Sequence, residues 1–354
     1  MKFKYKKLYI HFCFLVLLNI FFSTDNINAK TFLINDVQIS SPFQINFNKN
    51  QIIDKGFTKA FDQLILSIIQ TKDYKKIKNT PPSLIKGMVE TFSITKEKFI
   101  DDIYYLSLNV SFNKKRLFNL LESKNIFPSI PIKKKILFIP IFLDENNNEI
   151  LMFSENDLFK NWNLEIKKHH LLEYVLPTED LEDFNLIRNN LKNLENYDFK
   201  EIIEKYNLED YIVAIVFKNN KEIRSLNKIK FNEKIYLKNL KFQNLELSNK
   251  KEINEFTETL KNLYENHWKS INEINTSLKT SFTISVSNDD YKKISNFEKE
   301  LTNIDLINTF YIYKFNNRNN IYKIIFNGTP DYFLKIMEDK NYIFNTQSKV
   351  WFLE

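Results

Sequence analysis

Glycine is nearly missing from this chain, with only Gly56, Gly87 and Gly328 among 354 residues. Three isolated positions cannot assemble a glycine-rich loop, so backbone cradles for phosphates and dinucleotides are excluded. Cysteine is represented by Cys13 alone, which leaves no disulfide framework and no thiolate metal cluster. The four histidines are His11, the adjacent pair His169-His170 and the distant His267. No sequence motif places any of them beside a serine, and no acidic or cysteine ligand has a matching short spacing, so neither a nucleophile–base pair nor a metal site has support. The missing glycines carry a structural consequence as well. Left-handed backbone positions must fall to Asn and Asp, so asparagine-rich loops here are weak functional evidence.

What is abundant is Lys, Asn, Ile and Phe (33 Phe), spread along the whole chain as a compositional bias. Hydrophobic content of 43% and charged content of 27% describe a globular protein, and the length predicts two or three domains. Lys2, Lys4, Lys6 and Lys7 precede an apolar run from Leu8 to Phe22, and polar residues then lead to Ile27-Asn28-Ala29. That order predicts a secretory signal peptide over 1–29, cleaved between Ala29 and Lys30. The alternative is an uncleaved signal anchor, for which the apolar run is short. Cys13 lies early in the apolar run, where a lipidated cysteine does not stand. Cleavage removes four of 51 basic and one of 44 acidic side chains, so the mature chain carries about +4. Its lysines are interspersed with acids, a solvated surface and no footprint for nucleic acid. The expected location is the bacterial periplasm, with no membrane span after cleavage.

The stretch Lys135–Leu143 (KILFIPIFL) is a continuous apolar run that predicts a strand buried on both faces. Tyr211–Phe217 (YIVAIVF) is its counterpart, and a strand–helix–strand order between them favours a parallel pair at a sheet centre. The fold class expected is an α+β / α/β multidomain chain: an N-terminal β-α-β-β-α unit (30–128), a central α/β unit (132–248), a long amphipathic helix (249–279) packed on it, and a C-terminal ferredoxin-like β-α-β-β-α-β plait (280–354). In the N-terminal unit Ile53, Phe57, Ala60, Phe61, Leu64, Ile65 and Ile68 give one helix face. Gly56 lies beside that face, where a missing side chain lets the helix approach a sheet. Val89–Lys98 and Ile103–Phe112 read as a hairpin turning at Ile100-Asp101-Asp102, and Thr80-Pro81-Pro82 ends the linker that follows the first helix. Thr178 is the expected N-cap of a helix burying Leu181, Phe184, Ile187, Leu191 and Leu194. The long helix is expected over Lys250–Leu278 with Ile253, Phe256, Leu260, Leu263, Tyr264, Trp268, Ile271 and Ile274 on its packed face; docking on a membrane surface is the other reading of that stripe.

Asp144, Asn146, Asn148 and Glu155 fall at positions 1, 3, 5 and 12 of a calcium-binding loop, but Glu149 stands where the sharp turn needs Gly. A plain hairpin turn is the expectation. Asp101-Asp102 and Asp289-Asp290 are acids at a turn and a helix start, where acids are structurally expected. An RNA-recognition surface on Ile321–Phe326 is rejected, because Tyr322 and Phe326 lack the basic-Gly-aromatic context. No catalytic, cofactor-binding or metal residue emerges, and no cofactor is implied. A secreted eukaryotic parasite protein is a third reading, which glycans at Asn109 or Asn275 would support.

Gly56–Phe61, the run Leu108–Phe112 leading through Pro131 into Ile136–Pro140 and on to Trp162, and Phe326-Asn327-Gly328 with the terminal Trp351-Phe352-Leu353 give the chain a resemblance. It resembles the secreted proteobacterial domain-of-unknown-function family twenty sixty-six. That resemblance implies no activity and carries over no functional residue; the chain departs from the family pattern in its few glycines and arginines. The expected function is a non-enzymatic periplasmic binding or envelope-assembly factor, with envelope proteins or a cell-wall or lipid ligand as partners. The alternative is a cell-envelope hydrolase using a carboxylate pair that sequence does not identify.

Overall fold

The structure, a computed structural model, describes residues 31–354 apart from Asn46, Lys221, Thr276 and Ser277. The expected signal segment, with Cys13, Ala29 and Lys30, lies outside the described residues. The architecture is mixed α+β with three sheets, and no helix among the described residues is long and apolar enough to cross a membrane.

The central sheet is organised by β4 (Lys134–Asp144), the apolar run singled out in the sequence. Ile136, Phe138 and Phe142 point to one face and Leu137, Ile139, Ile141 and Leu143 to the other, and each set enters its own core. β4 pairs in parallel with β7 (Tyr211–Asn219), as the strand–helix–strand order predicts. β7 continues antiparallel into β8 (Glu222–Phe231) and β9 (Lys234–Gln243). The other edge of β4 is shared by two short strands. β6 (Leu172–Val175) pairs with Lys134–Leu137, and β5 (Glu149–Leu151) with Phe142–Asp144.

That split explains Pro140, which lacks a backbone donor and stands in a central strand. Its backbone faces the gap between β6 and β5, where no strand asks for an N–H. Its carbonyl accepts from Asn156 Nδ2 at 3.2 Å, and Asn156 is 1% exposed. The same side chain caps α4 (Asp157–Trp162), accepting from Leu158 N at 2.9 Å and Phe159 N at 3.4 Å.

The N-terminal sheet has the order β1 (Thr31–Pro42), β3 (Ile103–Asn113), β2 (Val89–Ile100), all antiparallel. Helix α1 (Lys49–Ile68) lies on it, and Gly56 is the point of closest approach. A Cβ there would meet Leu108 Cδ1 at 2.5 Å and Ile39 Cδ1 at 2.9 Å. Asp101 and Asp102 both have positive φ (48° and 57°), a two-residue turn of the hairpin type. Where Thr80-Pro81-Pro82 ends the linker, Pro82 opens helix α2 (Pro82–Met88), because proline at the first helical position gives up a donor that would be orphaned anyway. α3 (Lys114–Ser123) closes the unit.

Some corrections concern helix ends. α5 (Leu181–Asn189) is capped by Asp180, not Thr178, whose N–H donates to Tyr206 Oη at 2.8 Å. Leu181 is 81% exposed and belongs to no core. After α6 (Lys200–Glu204), the long helix α7 (Lys250–Ile271) stops short of Leu278, so Ile274 is buried from a connecting segment.

The C-terminal sheet has the order β11 (Ile307–Phe315), β12 (Asn319–Asn327), β10 (Lys279–Ser287), β14 (Trp351–Leu353), β13 (Phe344–Asn345). Helices α8 (Tyr291–Asn303) and α9 (Pro330–Glu338) bring Phe297, Leu301, Phe333 and Met337 into its core. The β11-β12-β10 arrangement is that of a ferredoxin-like plait, but the closing strand differs. β14 enters parallel to β10 and displaces β13 to the edge. Tyr322 and Phe326 are fully buried, in keeping with the rejection of an aromatic RNA platform. The expected boundaries separate three sheets but not three cores, since the first and third sheets share one apolar cluster.

Asn156 joins two satisfactions in one buried amide, so Asn156→Ala should cost about 2 kcal/mol, a lost cap plus an orphaned carbonyl. Chemical denaturation measures this; a change below about 0.5 kcal/mol would show that Pro140 finds another partner.

Candidate interdomain site

The joint between the N-terminal and central units is built from a side of α7 that the apolar stripe does not announce. Lys261, Glu265 and Lys269 recur every four residues and are 3%, 2% and 4% exposed. Charges this deep need dedicated partners. Lys261 Nζ donates to Glu165 O at 3.0 Å and lies 5.5 Å from the Trp162 ring. The Glu265 carboxylate accepts from Leu171 N at 3.0 Å and Leu172 N at 2.9 Å, where the chain enters β6. Lys269 Nζ donates to Leu66 O, an end carbonyl of α1. Lys269 itself lies in the last turn of α7, and its ammonium meets the negative end of α1.

Burial pushes the Glu265 carboxyl up, opposed by the N–H groups of Leu172 and Leu171 and by Lys269 and Lys261. Burial pulls Lys261 and Lys269 down. Sequence reading missed all three residues, because Lys–Glu–Lys at this spacing is the pattern of a solvated ion-pair face. The one available signal is that they directly flank the apolar line Phe256–Leu260–Tyr264–Trp268, widening the covered face.

The joint is finished by polar contacts between segments distant in sequence. Lys168 Nζ donates to Asp36 O at 2.6 Å and pairs with the Asp36 carboxylate at 3.1 Å. Asp36 stands at a bulge of β1 with φ 51°. Thr71 N donates to Asn266 Oδ1 at 2.9 Å. The Pro128–Pro131 segment is pinned, with Ser129 N donating to Ile68 O at 2.6 Å and Ile274 N to Pro128 O at 2.7 Å.

A groove of about 480 Å³ opens along this joint. Phe32, Ile34, Leu64 and Leu171 supply apolar walls, and Lys133, Lys168 and His170 stand among its lining with no acidic residue. The size is that of a small-molecule site. A second groove of about 570 Å³, between α3 and the C-terminal unit, is lined by Lys114, Lys115, Arg116 and Lys279 but also by acids, with Lys279 Nζ 3.3 Å from Glu122 and Lys114 paired to Asp305.

His169 and His170 meet edge to face at 4.9 Å beside the first groove. Burial, then the charges of Lys269 and Lys167 against that of Glu258, hold His169 down to about 4. Burial, then His169, Lys261, Lys167 and Lys269, hold His170 down to about 3. Both rings are neutral at neutral pH, donors or acceptors of hydrogen bonds and not counter-ions. His267 packs elsewhere, 4.3 Å from Tyr236 and 5.9 Å from Phe231.

The remaining sequence candidates are structural. Asp144 accepts from Asn146 N at 3.0 Å and Asn147 N at 3.2 Å, an Asx turn closing the β4–β5 hairpin. Glu149 pairs with Asp144 across that hairpin, Asn148 takes the left-handed position (φ 52°), and Glu155 ends the following 3-10 turn. Asp290 caps α8, and Asp289 bonds Ser287 Oγ at 2.6 Å. Asn109 accepts from Asp36 N at 3.0 Å, and Asn275 Oδ1 accepts from Leu278 N at 3.2 Å. Among the described residues no cluster of three or more His, Cys, Asp and Glu is placed to hold a metal. Among the described residues the four buried carboxylates have separate partners: Asp144 its turn, Asp183 Lys205 at 2.6 Å, Asp210 Lys134 at 2.6 Å, and Glu265 the β6 entry.

The histidines set the sign of the acid response. Between their ordinary 6.5 and the depressed values of about 4 and about 3, the unfolded chain binds protons that the folded chain refuses. Their contribution to stability is therefore lost as pH falls through that window. Glu265, whose carboxyl is raised, acts in the opposite sense above its ordinary value. A His169→Asn/His170→Asn variant should lose less stability than the parent between pH 6.5 and about 4 in urea melts. Identical profiles would show that these rings do not titrate on unfolding.

No family model matches the chain, and no curated protein matches it.

Proposed function

We propose that this chain is a non-enzymatic binding or assembly factor of the bacterial envelope, secreted to the periplasm, that takes its ligand in the groove between the N-terminal and central units. The observation that carries this reading is the contrast between groove and carboxylates. The groove is apolar, cation-lined and free of acids, while every deeply buried carboxylate is committed to its own structural partner. A hydrolase of the carboxylate-pair type needs two carboxylates facing one substrate bond, and none of these four shares a partner with another. Secretion is supported by the n-region lysines and the apolar run before Thr31, and the likeness to family twenty sixty-six is in keeping with it. The ligand chemistry that fits is apolar with one negative group, as in envelope lipids and other amphiphiles.

An anionic apolar fluorophore, 8-anilinonaphthalene-1-sulfonate, tests the groove directly. It should bind the folded protein at one site, and Lys133→Glu should weaken it about tenfold. Gln63→Trp, which fills the groove from α1, should abolish it with the circular dichroism spectrum unchanged. Binding indifferent to Gln63→Trp would remove the groove from consideration.

Localisation has its own test. Protein recovered from the periplasmic fraction should begin at Lys30 by intact mass. A cytoplasmic full-length chain would sink the envelope reading whatever the fluorophore does.

A further inference from the structure

Each sheet of this protein has edges, and edges invite other strands unless something blocks them. β1, β2 and β11 all carry register shifts that break their ladders. β5, β6 and β13 are three, four and two residues long. β9 is different. It runs ten residues along β8 without a shift and forms the outer edge of the central sheet.

The outward groups of β9 follow from its turn. Asn232 and Glu233 both have positive φ (48° and 67°), so Phe231 and Lys234 close a two-residue hairpin as a hydrogen-bonded pair. Alternation then directs the backbone groups of Tyr236, Lys238 and Leu240 toward β8. Lys238 O accepts from Asn227 Nδ2 at 3.0 Å, which agrees. The N–H and C=O groups of Ile235, Leu237, Asn239 and Lys241 are left facing outward.

The side chains say what would fit beside them. On the α7 face, Lys234 and Lys238 stand in a row with Tyr236, and among the described residues neither lysine has a carboxylate at ion-pair distance. On the opposite face Ile235 and Leu237 are 53% and 62% exposed. β9 contains no acidic residue. A second copy added to this edge would set lysines beside lysines, so the edge is guarded against its own kind but not against an acidic strand.

We propose that the free edge of β9 accepts an extended segment of a partner protein, carrying acidic side chains on the face toward α7 and apolar side chains on the other, by strand addition. This surface is separate from the interdomain groove and does not rest on it.

The probe is a fluorescein-labelled peptide of four Glu-Val repeats, followed by anisotropy, with four Lys-Val repeats as control. The acidic peptide should bind and the basic one should not. Lys234→Glu/Lys238→Glu should reverse that preference. Leu237→Pro removes one outward donor without touching the β8 ladder, so it should weaken binding at least tenfold while leaving the thermal melt unchanged. Hydrogen exchange at Ile235, Leu237, Asn239 and Lys241 should slow on binding, and Gln63→Trp should have no effect. If the acidic peptide fails to bind at millimolar concentration, or binds the Leu237→Pro and charge-reversed proteins as well as the parent, the proposal is wrong.

Discussion

The arrangement of units depends on a buried ammonium, Lys269 of α7, which donates to Leu66 O at the C-terminal end of α1. A cation placed at a helix C-terminal end meets the partial negative charge of its unpaired carbonyls. Lys269 has lost most of its water to do so, which costs several kcal/mol unless the partners are well placed. Glu265, one turn back, helps to supply the compensating charge and is itself held by the two N–H groups at the entry to β6. Lys261 extends the row to the carbonyl of Glu165. The row thereby fixes α7 against a helix of one unit and a strand of another. Apolar area alone would permit sliding, whereas these contacts have one register.

The groove follows from the same feature. The segment from Lys167 to Leu172 is held to α7 by Glu265 and to β1 by Lys168, so it bridges the two units without filling the space beneath. Its histidines stay neutral because the neighbouring lysines and their burial make a further positive charge expensive. The groove thus presents the His170 ring and aliphatic side chains, with Lys133 and Lys168 among its lining. The groove's own cations, Lys133 and Lys168, are distinct from Lys167, Lys261 and Lys269, whose charges disfavour imidazolium.

Much of this was legible in the sequence where one element's own pattern decides the outcome. Lys135–Leu143 and Tyr211–Phe217 became the parallel centre of the sheet. The shortage of glycine did push left-handed positions onto Asn and Asp: no glycine has positive φ, and Asp101, Asp102, Asn148 and Asn232 do. What was not legible depends on a second body. Lys261, Glu265 and Lys269 have the spacing of a solvated face, and only the approach of α1 and the β6 loop turns it inward. Pro140 is tolerated in a central strand only because β5 and β6 divide one edge between them, a fact about strands still to come in the chain. β14 slides between β10 and β13 for a similar reason, since its three residues carry no signal for parallel against antiparallel pairing.

Scarce glycine also shifts where the fold stores its strain. Phe153 and Phe199 have positive φ (48° and 59°), a backbone state unfavourable for bulky side chains. Both rings are buried in the core beneath the crossover helices, Phe199 at 1% exposure and 4.8 Å from Tyr197. Burying a phenylalanine side chain contributes about 2–3 kcal/mol, against about 1–2 kcal/mol for the left-handed backbone. The aromatic surplus of this composition therefore offsets part of what its glycine deficit costs. In such a chain a surface loop tolerates substitution more readily than a turn whose strained residue is also a core anchor, and Phe153 and Phe199 are the two turns where loosening the core would release the backbone as well.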